Sequence, residues 1–409
     1  MKKCLFIAFL GLCALAGQVF GAEITVPNLE LASMGLVEDG NFGIRSSLEA
    51  EFSITGGYKY SINLGLGAEI PNLEKALSYG RFDILSMTAP GDFNDRMNNQ
   101  AVLSFRSING TIREIFGSPL ELSLFIGNYD KLGSGVDFPG YFGTVPVGTG
   151  YKGFFYFPQG LNGDPFFRFN GAIHSIKGTG LALKGIFGNI APALYIYHDL
   201  SFSEGFTQDN LNPGGNYDPG RYSADLRLLA NWEYAKFEVF FGYTYANHDN
   251  SAFRGGTLAW VGYGPVALLI QAGITYYEAE TCIKLDNCYF LLEPQLRIGV
   301  IGVNATFFYR PVFYMNRIIN DGTEKTRHTA DANARVFYKD ETRSPFEAGI
   351  EGTTNFDIKY GTDVNVRISP YISAVTSGLR WEFALRFNPK YKWEDENLLE
   401  GFIGIQTSF

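Results

Sequence analysis

The side chains best suited to acid–base chemistry or metal binding are four histidines, His174, His198, His248 and His328. They are far apart in sequence, and none occurs in the H-E-x-x-H spacing that places two imidazoles around zinc. No G-x-S-x-G nucleophile elbow and no phosphate-binding Walker loop is present. The sequence therefore predicts a protein that is not an enzyme and that has no catalytic, metal or cofactor site.

Arginine and carboxylate side chains form a second set, because they recur at alternate positions of long segments whose other positions are apolar. Mixed charge of this kind is costly in hydrocarbon, so these residues must face water or be neutralised by ion pairs. Opposed charges around a water-filled space set an electrostatic preference for solutes. We expect the following residues to line a pore: Arg45, Glu49, Glu51, Arg221, Asp225, Arg227, Glu293, Arg297, Arg310, Arg335, Glu347, Glu351, Arg367, Arg380, Glu382 and Arg386.

The elements that position these charges are strands with one apolar and one polar face. The alternation is clearest over residues 42–54, 220–232, 346–358, 363–375 and 378–388. Half-buried sheets of soluble proteins also alternate, so segment length is the better indicator. These segments approach the roughly 9–11 residues that cross a bilayer at a tilt, whereas soluble strands average about 5–6. Their apolar faces end in aromatic residues, as membrane interfaces favour.

The N-terminus predicts export. Lys2 and Lys3 precede an apolar run from Leu5 to Leu15, and small residues follow near Gly21. This pattern predicts a signal peptide over residues 1–21 and a mature chain over residues 22–409. No later stretch reaches the roughly 18 apolar residues of a membrane helix. A chain without such helices enters a membrane only as a closed barrel.

Composition agrees with a membrane sheet. Aromatic residues make up 16% of the chain, glycines number 48, and charged residues reach only 18%, below the roughly 25% usual for soluble domains. The net charge is −9, and without Lys2 and Lys3 the 31 basic against 42 acidic residues give −11. This balance argues against nucleic acid as a partner and favours cations in a lumen of the same sign.

The C-terminal segment Leu399–Phe409 alternates to a terminal aromatic residue. It resembles the insertion signal of Gram-negative outer-membrane β-barrels of the porin type, with Phe409 as its last residue. The resemblance implies an all-β, transmembrane, antiparallel up-and-down β-barrel in the cell outer membrane. It also implies outer-membrane lipids and the barrel-assembly machinery as partners. Homotrimer formation, which is common among porins, follows from the resemblance alone.

The connections should alternate between long outer loops and short periplasmic turns. The sequence fits this rule over most of its length and predicts a single barrel domain of 16–20 strands, an even number. Thr55–Gly57 and Tyr360–Thr362 are short where long loops are expected, and a short helix is predicted over Ile70–Tyr79 on the periplasmic side. The first strand is predicted to begin at Phe42, after the lead-in Glu23–Gly40, which is too short for a plug domain.

A barrel of this size is too wide for side chains alone to fill, which favours an aqueous channel. The segment Asn128–Gly150, the third outward loop, contains Asp130, Lys131 and Asp137. Its position resembles that of the loop which general porins fold inward, so these three residues are expected in a constriction loop. The alternative is an exposed loop that covers the mouth.

Two cysteines remain after removal of the signal peptide, Cys282 and Cys288. They are close in sequence, and an oxidising compartment favours a small loop-closing disulfide between them. Two cysteines without a nearby histidine pair are a poor metal site.

The sequence therefore predicts an outer-membrane channel for passive diffusion of small hydrophilic solutes. One alternative is an adhesin or structural barrel with a closed lumen, and another is a FadL-like transporter of hydrophobic substrates, which would need an N-terminal hatch. Omptin-type barrel proteases place His and Asp together at strand ends, as in His198-Asp199 and His248-Asp249. Adjacent strand residues point to opposite faces, so neither dipeptide forms a dyad by itself.

Overall fold

The computed structural model describes residues 23–38, 41–70, 102–145, 147–151, 153, 171–199, 221–246, 251–278, 288–309, 329–340, 346–357, 364–390 and 398–407. Their strands are β1 (Glu23–Glu38), β2 (Asn41–Gly56), β3 (Tyr60–Ile70), β4 (Val102–Arg113), β5 (Leu120–Leu132), β6 (His174–Gly185), β7 (Ile190–Asp199), β8 (Arg221–Asn231), β9 (Ala235–Ala246), β10 (Ala252–Tyr263), β11 (Val266–Glu278), β12 (Cys288–Ile298), β13 (Ile301–Tyr309), β14 (Thr329–Asp340), β15 (Phe346–Asp357), β16 (Asn365–Thr376), β17 (Leu379–Phe387) and β18 (Leu399–Thr407). The helical segments are a 3₁₀ turn (Ile115–Gly117) and α1 (Phe138–Phe142).

The 18 strands form one antiparallel sheet in which each strand pairs with the next in the chain. The sheet closes because β1 also pairs with β18, from Leu29 opposite Thr407 to Gly35 opposite Gly401. The predicted up-and-down barrel with an even number of strands between 16 and 20 is confirmed. In the described part of the chain, no helix is long and apolar enough to cross a membrane.

The predicted start of the barrel is wrong by one strand. Residues predicted as a lead-in form β1, which lies between β2 and β18. The pairing register of β1 with β2 shifts between Thr25 and Asn28, around Pro27, whose nitrogen carries no hydrogen for the ladder. After this bulge, the residues that face inward are at odd positions instead of even ones, or the reverse. The segment therefore lacks the continuous inward–outward alternation of the other strands.

The additional strand brings the short turn after β2 into the alternation of connection lengths, whereas the two-residue connection between β1 and β2 is short at the end with the long loops. The turn after β2 lies at the same end as the short connections 114–119, 186–189 and 264–265, so its shortness is expected. The connection from β3 to β4 lies at the opposite end with the long loops, so its predicted periplasmic position is wrong. The helix predicted there falls on residues 71–101, outside the described residues apart from Ile70, which ends β3. Tyr360–Thr362 is also outside them.

One short turn shows how the sequence sets the hairpin geometry. Only Ser377 and Gly378 separate β16 from β17, and both have positive φ, at 53° and 78°. Two-residue hairpins of type I′ require positive φ at both positions because this conformation matches the strand twist. The turn therefore fixes the register in which Thr376 faces Leu379.

The two faces of the sheet differ as the alternation predicts. The outer face carries exposed apolar side chains, for example Leu124, Ile196, Phe241 and Phe383. The inner face carries polar residues and a second group of apolar residues that are fully buried, among them Tyr195 and Leu258. A closed barrel has no second sheet to cover its inner face, so those apolar residues require another part of the chain inside.

Candidate functional site

The described part of the connection between β5 and β6 lies inside the barrel. Its residues Phe138, Val147, Tyr151 and Ile173 are at most 3% exposed. They belong to one apolar cluster with inward-facing strand residues, namely Phe125, Tyr195, Tyr197, Leu229, Phe240, Leu258, Leu269, Tyr289, Leu291 and Phe308. We call the described residues 133–145, 147–151 and 171–173 the inner loop. It covers the inner wall from β5 to β13.

Two glycines allow the inner loop to leave β5 and approach the wall. Gly133 and Gly135 have φ of 69° and 72°, the left-handed region that side chains disfavour. A Cβ atom at Gly133 would lie 2.6 Å from Ile173, and one at Gly135 would lie 2.9 Å from Val147 and 3.1 Å from Leu258. Side chains at these two positions would therefore separate the loop from its packing partners.

Glu238 on β9 holds this tight segment. Its Oε1 accepts a hydrogen bond from the backbone N–H of Gly133 at 2.6 Å, and its Oε2 accepts one from Gly135 at 3.1 Å. The same carboxylate lies 2.8 Å from Nε of Arg227. Glu238 is completely buried. A carboxylate only accepts hydrogen bonds, so it matches two converging amides and one guanidinium.

Arg227 on β8 connects the loop to a second carboxylate. Its Nη1 lies 3.2 Å from Oδ1 of Asp130 and also contacts Asp137, the residue before α1. Asp130 accepts further hydrogen bonds from Lys184 at 2.8 Å and Tyr195 at 2.7 Å. Buried charges are tolerated when they are paired and hydrogen-bonded in this way. The cluster joins β5, β6, β7 and β8 to the inner loop.

Asp137 is the residue of the inner loop in this cluster, and its pKa is raised. Burial and the nearby Asp130 carboxylate raise the pKa of Asp137 to about 6, although Arg227 and Lys184 act in the opposite direction. A group whose pKa is higher in the docked loop than in water takes up a proton on docking. Docking should therefore strengthen as the pH falls below about 6 and weaken as the pH rises through that value.

We expect this titration to appear in single-channel recordings. The unitary conductance should be lower at pH 5 than at pH 7, because the protonated loop is held more firmly against the wall. Asp137→Asn carries the uncharged form at both pH values, so this variant should lose most of the difference. An equal pH response in the two proteins would contradict the assignment to Asp137.

The rest of the inner loop is held further around the barrel. Gln271 on β11 donates to the carbonyl oxygens of Gly133 at 2.6 Å and Gly171 at 3.1 Å. Thr149 donates to Glu293 on β12 at 2.5 Å, and the Tyr151 hydroxyl donates to Asp331 on β14 at 2.9 Å. The loop is thus bonded to acceptors or donors on five strands of the wall, β8, β9, β11, β12 and β14.

A separate buried network lies within the wall itself. Arg254 on β10 donates to both oxygens of Asp225, at 2.8 and 2.5 Å, and to the hydroxyls of Tyr197 and Thr244. The Asp225 carboxylate lies over Gly242, where a Cβ atom would be 1.9 Å from Oδ1. The glycine therefore provides the space for a bidentate ion pair that ties β8 to β10 across β9.

The inner wall beyond the loop keeps charged side chains of both signs. Arg380 lies 2.6 Å from Glu382, and Arg386 lies 3.1 Å from Glu400. On the neighbouring wall, Arg106 lies 3.7 Å from Glu49. The side chain of Arg380 is 40% exposed and that of Arg106 is 31% exposed, against 8% for Arg386. Water therefore reaches part of this charged wall.

The structure distributes the residues predicted to line a pore over several environments. Arg227 and Glu293 contact the inner loop, and Asp225 belongs to the Arg254 network. The remaining described residues are buried on the inner face (Arg335, Glu347, Glu351, Glu382, Arg386), partly exposed (Glu49, Glu51, Arg221, Arg367, Arg380) or exposed next to a short turn (Arg297). Arg310 and the side chain of Arg45 are outside the described residues. The pore-lining role stays a prediction.

The start of the predicted constriction loop is wrong. Asp130 and Lys131 lie in β5, and only Asp137 lies in the inner loop. Gly127 has φ of 91°, and the register with β6 shifts between Asn128 and Asp130. This bulge absorbs one residue, so the strand continues to Leu132 where the alternation in sequence ends. Asp130 therefore faces the interior as part of the wall.

Two further predictions concern residues at the limits of the described chain. Cys288 is the first residue of β12, and Cys282 is outside the described residues, so the disulfide stays a prediction. Phe409 is also outside the described residues, so its role in insertion stays a prediction.

His198 and Asp199 lie on opposite faces of β7: His198 contacts the outward Tyr222 ring, and Asp199 is buried with Ser223. They do not form a dyad.

Sequence reasoning missed the residues that hold the loop, above all Glu238, Gln271, Asp331 and Lys184. Each is a polar residue at an alternate position of a strand, which is a signal for the inner face. Their partners are not visible in the sequence, because Glu238 and Gly133 are 105 residues apart and Tyr151 and Asp331 are 180 apart.

Within the described residues, no group of three or more His, Cys, Asp or Glu side chains is arranged to hold a metal ion.

The solved structures that resemble this chain in fold are outer-membrane barrels. No protein-family model and no curated protein matches the sequence. Wzi of Escherichia coli, an outer-membrane protein involved in group 1 capsule assembly and a carbohydrate-binding β-barrel, superposes with a TM-score of 0.51 at 10% identity over 94% of this chain and 85% of Wzi. OccAB3 of Acinetobacter baumannii gives 0.49 at 10% identity, over 95% and 98% of the two chains. A Rhodopseudomonas blastica porin variant gives 0.41 at 10% identity, over 95% and 100%. The Wzi superposition shows the fold alone, a large antiparallel β-barrel like that of a known outer-membrane protein, and this agrees with the barrel that the sequence predicts.

Proposed function

We propose that the protein is an outer-membrane channel through which small hydrophilic solutes diffuse passively. The observation that carries the proposal is the division of the inner wall. One part is covered by the inner loop, whereas the part that bears Arg106 and Arg380 keeps charged side chains in contact with water. A solute path would run between the loop and this charged wall.

The physical basis is the width of the barrel. Eight strands are about the limit that side chains can fill, and wider barrels enclose cavities or channels. With 18 strands, the inner loop occupies part of the interior and narrows the remainder. Sieving would follow from this width, and an electrostatic preference would follow from the opposed Arg and carboxylate side chains. Diffusion through such a channel makes and breaks no covalent bond, so we propose that the protein is not an enzyme.

Membrane embedding is supported by the outer face. Its exposed apolar side chains are followed at the short-turn end by exposed aromatic residues, including Tyr58, Phe116, Trp232 and Tyr263. Aromatic girdles of this kind occur at both interfaces of outer-membrane barrels. We propose location in the outer membrane, after removal of the signal peptide 1–21, with a single barrel domain over residues 22–409. Assembly by the barrel-assembly machinery and a homotrimer are part of the same proposal.

Planar-bilayer recordings of the refolded protein test the channel. Insertion is first established by the heat-modifiable mobility of the folded barrel on gels and by strand-rich circular dichroism. Discrete conductance steps support the proposal. A fully inserted barrel without conductance would support the alternative of a closed-lumen adhesin or structural barrel, and an apolar internal pocket with a lateral opening would support a transporter of hydrophobic substrates.

Charge removal at Arg380 should change ion selectivity. Arg380→Gln removes a partly exposed inward cation, so the reversal potential in a salt gradient should shift toward cations. The shift should be larger in 0.1 M than in 1 M salt, because the screening length falls from about 10 Å to about 3 Å. Lys131→Gln removes the same charge from an exposed side chain on the outer face, and should leave the reversal potential unchanged. Equal shifts in both variants would contradict a selective inner wall.

A further inference from the structure

The outer face of the barrel carries two lysines on adjacent strands. Lys131 is exposed and lies between Asp130 and Leu132, both of which are buried inside the barrel. Lys177 lies between the buried residues Ile176 and Gly178. Alternation therefore directs both lysines outward. Among the strand residues whose side chains are described, the other lysines and arginines lie on the inner face.

The two lysines are close to each other. Lys131 pairs with Ser175 in the register of β5 with β6, and Lys177 is two residues beyond Ser175. Diagonal neighbours of this kind have Cα atoms about 7–8 Å apart. Both ammonium groups can therefore contact one anionic group that carries several oxygens.

Their height on the barrel corresponds to the edge of the membrane. Lys131 is eleven residues beyond Leu120, the first residue of β5 at the short-turn end. At about 3.4 Å per residue and a tilt of about 40°, this distance is roughly 28 Å along the barrel axis. The apolar band of such barrels is about 25 Å tall. Lys131 therefore lies just above the band, at the end with the long loops. Lys177 is eight residues from Gly185 at the short-turn end of β6, which by the same geometry is roughly 21 Å, so it lies in the uppermost part of the band. From there a lysine side chain reaches the interface with its ammonium group.

The neighbouring outward residues change from apolar to polar at the same level. On β5 the exposed Leu124 and Ile126 are followed by Asn128, and on β6 Leu181 gives way toward the rim to Thr179 and Lys177. Beside them, the ring of His198 meets that of Tyr222 at 5.7 Å, and Tyr222 is half exposed. An aromatic ring next to basic side chains suits a membrane interface.

We propose that Lys131 and Lys177 form a docking patch for the phosphate-bearing headgroup of an outer-leaflet lipid. The partner is a lipid embedded beside β5–β7, with its acyl chains on the apolar band and its phosphate between the two lysines. The attraction of basic side chains to an anionic membrane surface supplies the affinity. This inference rests on the outer-membrane location proposed above but is independent of solute conduction.

Native mass spectrometry of the detergent-solubilised protein tests the patch. The probes are lipid A, a diphosphorylated glycolipid, and phosphatidylcholine as the lipid without net charge. Wild-type protein should retain lipid A in preference to phosphatidylcholine. The double variant Lys131→Gln/Lys177→Gln should bind lipid A about tenfold or more weakly, as expected for the loss of two basic residues at a membrane surface.

Lys390→Gln is the matched control, because Lys390 is exposed beyond the same end of the barrel and far around it, where it donates to Asn365. It should bind lipid A like the wild type. Equal binding by the double variant, or an equal loss in Lys390→Gln, would overturn the patch. Displacement of lipid A by millimolar pyrophosphate would also overturn it, by indicating a soluble-phosphate site.

The folded state of each variant is established by its heat-modifiable mobility, and the two single variants carry the test should the double variant not fold. Conductance of the same samples separates this inference from the channel. A barrel that retains lipid A without conducting would refute the channel and support the patch. A barrel that conducts and does not discriminate between the lipids would do the reverse.

Discussion

Replacing Glu238 by alanine is expected to release the inner loop and raise the unitary conductance of the barrel. The substitution removes the acceptor of two loop amides and leaves Arg227 without its partner at 2.8 Å. Breaking a buried ion pair by removing one partner costs about 3–5 kcal/mol. Because much of this loss falls on the docked loop, the loop should also become accessible to added protease in the folded barrel.

Two further substitutions serve as an intermediate case and as a control for this prediction. Glu238→Gln keeps an oxygen acceptor but loses the charge opposite Arg227, so its conductance should lie between those of wild type and Glu238→Ala. Glu121→Ala removes another inward carboxylate, which pairs with Arg113 at 3.1 Å near a short turn and away from the loop. A partly exposed pair contributes about 0–1 kcal/mol, so its conductance and protease resistance should match the wild type. Wild-type conductance in Glu238→Ala would refute the anchor.

The second large effect is expected at Arg254 and concerns stability alone. Arg254→Met leaves the fully buried carboxylate of Asp225 without its bidentate partner. The expected loss of stability is again about 3–5 kcal/mol. It should be measured as a lower temperature for the gel-mobility transition of the folded barrel. The hydrogen bonds of Arg254 go to wall residues, so the conductance of barrels that remain folded should stay at the wild-type value.

The double variant Asp225→Leu/Arg254→Met separates charge from packing. Replacing both members of a buried ion pair by apolar residues is often close to neutral, so the double variant should recover a large part of the stability lost in Arg254→Met. An equally low transition temperature in the two variants would show that the ion pair itself is unimportant. An increase in conductance as large as that of Glu238→Ala would show that this network also holds the loop.

The barrel was predictable from sequence because its signal is local. In β17, the residues from Leu379 to Phe387 alternate without a break, and the exposed and buried positions follow that alternation. The local signal fails where a bulge interrupts it. The bulge at Pro27 in β1 and the bulge between Asn128 and Asp130 in β5 each displace the alternation by one residue. The first hid one strand, and the second shifted the start of the inner loop.

The candidate site was predictable only in part, since it depends on contacts between distant segments. The Gly- and aromatic-rich composition of the third outward loop was sufficient to single it out. The choice of wall was not, because Glu238, Gln271 and Asp331 resemble many other polar residues on inner faces. Which of these residues bind the loop depends on where Gly133 and Tyr151 lie after the barrel has closed. The distances between such remote segments cannot be read from a single sequence.

The seam between β1 and β18 has a consequence for biogenesis. It joins Leu29–Gly35 to Gly401–Thr407, so the last hydrogen-bonded ladder needs residues from both extremes of the polypeptide. A strand pairing between residues so far apart in sequence forms slowly. Because β1 is synthesised long before β18, the barrel cannot close while the chain is still being made. Until the seam is made, the edges of β1 and β18 remain unpaired and open to other chains, which exposes the unclosed sheet to aggregation.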